Sequence, residues 1–244
     1  MDNTLMIALS NQRVLRDRMD MIANNIANVS TTAFKAEALI PEMVSERPAV
    51  ATDNPSDIRF VDGWALQRDM RAGPMQRTGN KFDFAIEGEG FFAVQTDDEV
   101  LYTRDGRFSP TAEGLLVDRE GRPVLDIGGQ PIQIDPDSGP ATVTLDGSIQ
   151  QGEDVVGQIG VTTFATPAAL ERVGDNNWRQ TVEEPQAAEA PAVRQGFVEG
   201  SNVAAVLELT RMLDTSRAYE RASRIVSDAD DLRSRALDRL GRSQ

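Results

Sequence analysis

The 244-residue sequence contains no cysteine and no histidine. Without cysteine it cannot form disulfides, thiolate metal sites or a cysteine nucleophile. Without histidine it cannot build a Ser-His-Asp triad, a histidine metal site or a histidine general base. We therefore expect a protein that is not an enzyme, with no catalytic residues, no metal ligands and no cofactor. The absence of cysteine also suits a chain that leaves the cytoplasm without oxidative folding.

Signals for a membrane or for signal-peptide secretion are missing as well. No apolar run approaches the roughly 20 residues that a membrane span needs. The N-terminal residues lack the charged region, the apolar run and the small-residue cleavage site of a secretory signal. We expect no membrane insertion and no cleaved signal peptide.

The net charge of −14 is unevenly distributed. Residues 1–34 hold three acids and three bases, and residues 196–244 hold eight of each, so the whole excess of acid lies between them. An acidic middle repels nucleic acid and anionic lipid, so no nucleic-acid partner is expected. Balanced ends are typical of helices that pack closely against many like helices.

Two narrow apolar stripes predict long helices over residues 3–29 and about Val203–Leu240. Each stripe is closer to a coiled-coil seam than to the broad face of a globular helix. Three asparagines near the end of the first helix either face solvent or hydrogen-bond to a neighbouring chain and set the register. The residues expected to pack between subunits are Leu5, Leu9, Leu15, Met19, Ile22, Asn24, Asn25, Ile26, Asn28 and Val29 in the first helix, and Val206, Leu209, Leu213, Tyr219, Ala222 and Val226 in the second.

The middle of the chain changes character, with short apolar runs separated by turn pairs such as Asp105-Gly106 and Asp146-Gly147. Asp-Gly pairs are strong hairpin signals, and this density of turns predicts an all-β domain that is sandwich-like or a partly open barrel. Neighbouring residues of a strand face opposite ways, so Phe91 and Phe92 predict one core residue and one that shields an edge or an interface.

Five segments follow from these patterns: an N-terminal helix over 1–35, an extended connector over 36–75, a β domain over 76–182, a linker over 183–195 and a C-terminal helix over 196–244. The connector has a predicted short hairpin around Asp62-Gly63. The predicted fold class is α+β, in which the two long terminal helices form a coiled-coil-like pair beside a central all-β domain. Head-to-tail contacts of such a pair with other chains give rings or helical tubes.

Two other function classes have candidate residues. A wall-cutting hydrolase would use Glu87 and Glu89 as paired carboxylates, although Glu87-Gly88-Glu89-Gly90 is typical of an exposed turn. A carbohydrate- or calcium-binding β module would use turn acids that lack EF-hand spacing, or tryptophans that are more typical of packing. The residues for this third class are Asp135, Asp137, Asp146, Trp64 and Trp178.

Three motifs together resemble those of the bacterial flagellar rod, hook and hook-associated axial proteins. The first is Ile22–Lys35, read Ile-Ala-Asn-Asn-Ile-Ala-Asn-Val-Ser-Thr-Thr-Ala-Phe-Lys, in which Ala33 replaces the usual glycine. The second is Thr78–Phe92, continued by Tyr-Thr-Arg-Asp-Gly-Arg-Phe at 102–108. The third is Gly-Phe-Val-Glu-Gly-Ser-Asn-Val at 196–203, followed by Ser-Arg-Ala-Tyr-Glu at 216–220.

This resemblance implies a structural subunit of the flagellar basal-body rod, most similar to the proximal rod type, with the distal rod type as the alternative. Such proteins are exported unfolded through the flagellar type III apparatus, without a cleaved signal, and assemble in the periplasm into a drive shaft. The terminal helices would form an inner tube around the export channel, and the β domain would pack outside it. The implied partners are copies of the same chain, other rod proteins and the export apparatus.

Overall fold

The computed structural model describes residues 2–46, 58–174, 176–181 and 184–241. The chain divides into two compact units. The helical unit comprises residues 1–27, 37–67 and 204–244, and the β unit comprises residues 28–36 and 68–203. The five segment boundaries predicted from the sequence stay predictions.

The described residues form two α-helices and seventeen mostly short strands. The helices are α1 (Asp2–Ala27) and α2 (Ala205–Gly241). The strands are β1 (Glu37–Glu46), β2 (Ile58–Arg68), β3 (Met75–Arg77), β4 (Phe84–Ile86), β5 (Phe91–Gln95), β6 (Val100–Thr103), β7 (Ser109–Pro110), β8 (Leu116–Val117), β9 (Ala141–Val143), β10 (Ser148–Gln151), β11 (Asp154–Gln158), β12 (Val161–Thr163), β13 (Glu171–Gly174), β14 (Asn177–Arg179), β15 (Gln186–Ala187), β16 (Val193–Gln195) and β17 (Phe197–Glu199).

The helical unit contains α1 and α2, which contact each other, and the two-stranded sheet of β1 and β2. Strand β2 runs straight through Asp62-Gly63, so the hairpin predicted there is wrong. An Asp-Gly pair favours a turn only when the flanking residues can pair with each other. Here β2 pairs instead with β1, from the other side of residues 47–57.

A six-stranded sheet organises the β unit, in the order β13-β14-β6-β5-β12-β15. Its centre is antiparallel, and Phe92 of β5 lies opposite Thr103 of β6 on one side and Val161 of β12 on the other. A three-stranded sheet has the order β11-β10-β9. The segment that leads toward α2 is tied into this unit because β16 pairs with β4 and β17 pairs with β3.

The two faces of β5 are both buried, each in its own hydrophobic core. Phe92 packs with Phe108 at a ring-centroid distance of 5.2 Å in the larger core. Phe91 packs with Phe164 in the second core, which also contains Trp178. The expectation that one of the two phenylalanines shields an edge or an interface is therefore wrong. The alternation of faces was correct, but both faces of this central strand are covered.

The predicted fold class is also wrong, because the described chain is mostly β and its helices do not form the predicted coiled-coil-like pair. A coiled-coil seam buries its apolar stripe against the partner helix. In the first turns of α2 the predicted seam is solvent-exposed, with Val206 79%, Leu209 52% and Leu213 60% accessible. The contact of α2 with the rest of the chain uses a different face, described below.

Gly106 allows two segments of the larger core to approach closely. Its carbonyl accepts a hydrogen bond from the Phe84 amide at 2.9 Å. A Cβ atom at this position would lie 1.9 Å from the Phe84 carbonyl oxygen and 3.0 Å from the Phe92 ring. Any residue larger than glycine would therefore push β4 away from the chain that follows β6.

We expect Gly106→Ala to destabilise the protein by roughly 1–3 kcal/mol, because the backbone of β4 must move to accept the methyl group. The measurement is urea unfolding followed by circular dichroism. The matched control is Gly157→Ala in β11, where an added Cβ would have no atom within 4 Å. This control should stay within about 0.5 kcal/mol of wild type. Equal destabilisation by the two variants would contradict the steric explanation.

Candidate functional site

Three charged residues, one from each sequence motif, meet inside the β unit. The Glu199 carboxylate lies 2.6 Å from the Lys35 ammonium and 2.5 Å from the Arg104 Nε. All three side chains are almost fully buried. They are separated by up to 164 positions in the chain. We name them the motif cluster.

Backbone groups complete the hydrogen bonding of the carboxylate and the ammonium. Glu199 Oε1 also accepts from the Gly73 amide at 2.9 Å. Lys35 Nζ also donates to the Arg71 carbonyl at 2.8 Å. Buried charges are tolerated only when they are paired and hydrogen-bonded in this way.

The guanidinium of Arg104 holds the turn between β4 and β5. It donates to the carbonyls of Gly90 at 2.9 Å, Gly88 at 2.7 Å and Ile86 at 3.3 Å. The planar fork of an arginine can satisfy several carbonyls at once, which a lysine cannot do with the same geometry.

The motif cluster has two cations and one carboxylate. Burial lowers the pKa of Lys35, and the nearby Glu199 offsets part of that effect by favouring the charged form. The cluster is closed to solvent and its carboxylate is occupied by three donors, so it leaves no position for a reacting group. This arrangement indicates a structural role.

The N-terminal and C-terminal motifs also run side by side around Asn202. Its Oδ1 accepts from the Ala36 amide at 2.7 Å, and its Nδ2 donates to the carbonyls of Asp69 at 2.7 Å and Arg71 at 3.0 Å. Its own amide donates to the Phe34 carbonyl at 3.2 Å. Asn202 therefore links its own segment to residues 34–36 and to residues 69–71. This explains why the third motif has an asparagine at this position.

Ala33, which stands where glycine is usual, adopts the left-handed conformation with a φ of 58°. For a residue with a Cβ atom this conformation costs roughly 1–2 kcal/mol. The Ala33 methyl group is buried, which recovers about 0.8 kcal/mol. Its amide donates to the Glu199 carbonyl at 2.8 Å, so the turn is held by the third motif.

The predicted packing stripe of α1 turns inward within the chain. Ile22 is only 1% exposed. Leu15, Met19, Ile26 and Val29 are half-buried, Leu9 is exposed, and the side chain of Leu5 lies outside the described residues.

In the first turns of helix α2, by contrast, the apolar side chains of the predicted stripe point toward solvent. Among the described side chains of α2, the buried ones are Glu208, Thr215 and Ala222, which are spaced seven residues apart and are polar or small. At 3.6 residues per turn, this face is centred roughly 150° from the face of Val206, Leu209 and Leu213. We name the latter the exposed α2 face. Of the other predicted packing residues of this helix, Tyr219 and Val226 are half-buried.

The three asparagines near the end of α1 have different surroundings. Asn25 is buried, and its side chain pairs with both backbone polar groups of Glu37 at 2.8 and 3.0 Å. Asn28 Oδ1 accepts from the Thr31 hydroxyl at 3.1 Å. Asn24 is exposed. The amide of Asn25 thus joins the end of α1 to the start of β1.

The residues suggested for catalysis or ligand binding are not grouped into a site. Glu87 lies at the surface and pairs with Arg194 at 2.6 Å. Trp178 is buried in the second core, and the side chain of Trp64 lies outside the described residues. Among the described residues, no three acidic side chains converge as metal ligands would. Over the same residues, neither helix is apolar enough to cross a membrane.

Lys35, Arg104 and Glu199 lie inside the three sequence motifs, but the sequence alone predicts no role for them. The available signal was an ionisable residue in each of three short motifs rich in glycine, aromatic or apolar residues. That signal cannot say which charge pairs with which, because the segments lie far apart in the chain.

We expect Glu199→Gln to destabilise the β unit by about 3–5 kcal/mol at neutral pH, because two buried cations lose their counter-charge. Losing that charge lowers the pKa of Lys35 further below its usual 10.5. Since a lowered lysine pKa favours the folded state as the proton leaves, the penalty should shrink as pH rises toward 10.5.

The measurement is urea unfolding from pH 7 to 10. The matched control is Glu87→Gln, which removes the same charge from the exposed pair with Arg194 and should cost less than about 1 kcal/mol. A penalty for Glu199→Gln that is as small as the control, or that grows with pH, would contradict the role of the cluster.

Comparison with known families accounts for most of the chain. Residues 3–35 match the model of the flagella basal body rod protein family. Residues 85–151 match the D1 domain of the flagellar hook proteins FlgE/F/G, and residues 194–239 match the C-terminal region of the flagellar basal body rod FlgEFG proteins. The motif cluster takes Lys35 from the first match, Arg104 from the second and Glu199 from the third.

Relatives match over nearly the whole length. The chain is 42% identical to the flagellar basal-body rod protein FlgF of Caulobacter vibrioides and 37% identical to that of Mesorhizobium japonicum, covering 99% of both chains in each case. It is 31% identical to FlgG of Bacillus subtilis over 94% of this chain and 96% of that protein. The distal-rod alternative is therefore not favoured, and the chain belongs to the flagellar basal-body rod proteins, as a member of the FlgF type.

Proposed function

We propose that this chain polymerises, through exposed faces of its terminal helices, with copies of itself and with other rod proteins to form the proximal part of the flagellar rod. The observation that carries the proposal is the exposed α2 face. A monomeric helix normally turns its most apolar stripe inward, whereas α2 turns inward Glu208, Thr215 and Ala222.

Burying exposed leucine and valine side chains is favourable by about 1.5–3 kcal/mol each. The exposed α2 face offers three such side chains along two helical turns. Because the chain does not cover this face itself, a neighbouring subunit is the natural cover. A contact between two different surfaces of identical subunits propagates, which suits a helical shaft.

Further parts of the proposal rest on the family. The terminal helices line the channel through which later subunits pass. The chain reaches the periplasm unfolded through the flagellar export apparatus, without a cleaved signal. Support from the sequence is the absence of cysteine, which leaves no disulfides to form after export.

A non-enzymatic role is part of the proposal. It is supported by the absence of histidine and cysteine and by the pairing of Glu87 with Arg194 at the surface. Peptidoglycan hydrolysis by the purified chain that disappears in Glu87→Gln would contradict it.

We expect Leu209→Asp to abolish rod assembly while the monomer stays folded, since Leu209 is exposed in the chain and needed only by a neighbour. The matched control is Leu207→Asp. Leu207 is similarly exposed, at 49%, but points roughly 160° away around the helix. The measurements are motility and rod assembly in cells that depend on this chain, with circular dichroism of the purified variants.

Ile22→Asp should behave differently from Leu209→Asp. Ile22 is buried within the chain, so an aspartate there destabilises the monomer before assembly is tested. Normal rods in the Leu209→Asp variant, or equal loss of assembly in both leucine variants, would rule out a specific role for the exposed α2 face.

A further inference from the structure

A groove of about 520 Å³ opens on the β unit, beside the turn between β4 and β5 that Arg104 holds. Its apolar lining includes Phe91, Met70 and Pro167, and its polar lining includes Arg68 and Arg71. The Arg71 side chain is 86% exposed. The groove therefore combines an apolar floor with one arginine, Arg71, that a partner can reach.

The charges around the groove differ from those of the whole chain. Arg104 lines the groove and brings with it the motif cluster, which has one more cation than anion. At the rim, Asp69 pairs with Arg71, and the negative charge of Glu89 offsets the positive charge of Arg68. These four rim charges cancel, and the excess of one positive charge comes from the buried motif cluster behind the groove, on a protein with a net charge of −14. The groove is thus a place where an acidic segment is favoured over a basic one.

The hairpin of β10 and β11 has the complementary character. Its tip contains Glu153 and Asp154, both exposed, and residues 148–158 include no basic side chain. Next to these acids Val155 is 63% exposed and Val156 is also exposed. Strand β11 is the edge of its sheet, so this side of the hairpin has no neighbouring strand within the sheet.

We infer that the β10–β11 hairpin of one copy docks in the groove of a second copy. Glu153 and Asp154 face the arginine side, and Val155 covers the apolar floor. The turns at Asp126 and Asp146 also have an exposed apolar neighbour, Ile127 and Leu145, but each carries one acid whose carboxylate accepts hydrogen bonds within its own turn. The tip of the β10–β11 hairpin carries two acids.

Groove and hairpin are different surfaces, so each copy can use both at once and the contact propagates along a polymer. A hairpin in a groove covers less than a stable interface of about 800 Å² per partner. The contact therefore rests on the proposed function: the helices hold neighbouring copies together, and this raises the effective concentration of hairpin and groove.

The absence of cysteine makes disulfide cross-linking a clean test. One variant carries Ala72→Cys, at an exposed position of the groove, and the other carries Glu153→Cys, at the hairpin tip. The two full-length variants are mixed at about 1 mM, where weak contacts are populated, and are also co-expressed in cells that build rods. Mass spectrometry of the oxidised dimer identifies the linked peptides.

The expected result is a disulfide between residues 72 and 153 at a clearly higher yield than in the matched mixture of Ala72→Cys with Asp98→Cys. Adding Arg71→Glu to the groove variant should lower the yield roughly fivefold, the effect of about 1 kcal/mol. Adding Asp154→Arg to the hairpin variant should then restore it, because the charges are exchanged. Circular dichroism checks that each variant is folded.

A 72–153 yield no higher than the 72–98 yield, in both concentrated solution and rods, overturns the inference. So does a yield that Arg71→Glu leaves unchanged, since the groove would then be occupied without the charge contact. Failure here is separate from failure of the proposed function, because Leu209→Asp reports on the exposed α2 face and the cross-link reports on the groove.

Discussion

The buried pairing of Glu199 with Lys35 and Arg104 is the contact on which the β unit depends. It joins the turn after α1, the end of β6 and the end of β17, and its carboxylate also fixes the Gly73 amide. None of the three charges is tolerable alone in that interior, so the three segments must come together for any of them to be buried. Because the three segments are far apart in the sequence, these contacts form only after the chain has closed the long loops between them.

The chain uses its two apolar helix stripes for different purposes. Ile22 and its neighbours on α1 face inward, and Asn25 joins the helix end to β1 through both polar groups of Glu37. In α2 the buried side chains described are polar or small, with Tyr219 and Val226 half-buried on the same face, and Val206, Leu209 and Leu213 are exposed. This division leaves apolar surface on the first turns of α2 that the described residues do not cover. The proposed docking of the β10–β11 hairpin in the groove of a second copy would use exposed surface of the β unit in the same way.

Asp-Gly pairs illustrate how far local pattern reaches. Asp146-Gly147 is the turn predicted between two paired strands, β9 and β10, and Gly147 has the positive φ that such a turn requires. Asp105-Gly106 has the same letters, yet its glycine is needed because the Phe84 carbonyl lies against it. Asp62-Gly63 lies inside a strand. Only the first pair has flanking strands that bond to each other, and that condition depends on the rest of the fold.

By itself the sequence determined the chemistry that the chain lacks, the two terminal helices, the β-rich middle and the membership of the rod family. These features follow from residue types and from spacing over a few residues, so local propensities and family motifs are enough to predict them. The tertiary structure decided that Lys35, Arg104 and Glu199 form one cluster, that both faces of β5 are core, and that α2 exposes its apolar stripe. The spacing of apolar residues shows that a helix or strand has an apolar face. Which segment covers that face depends on parts of the chain more than a hundred residues away.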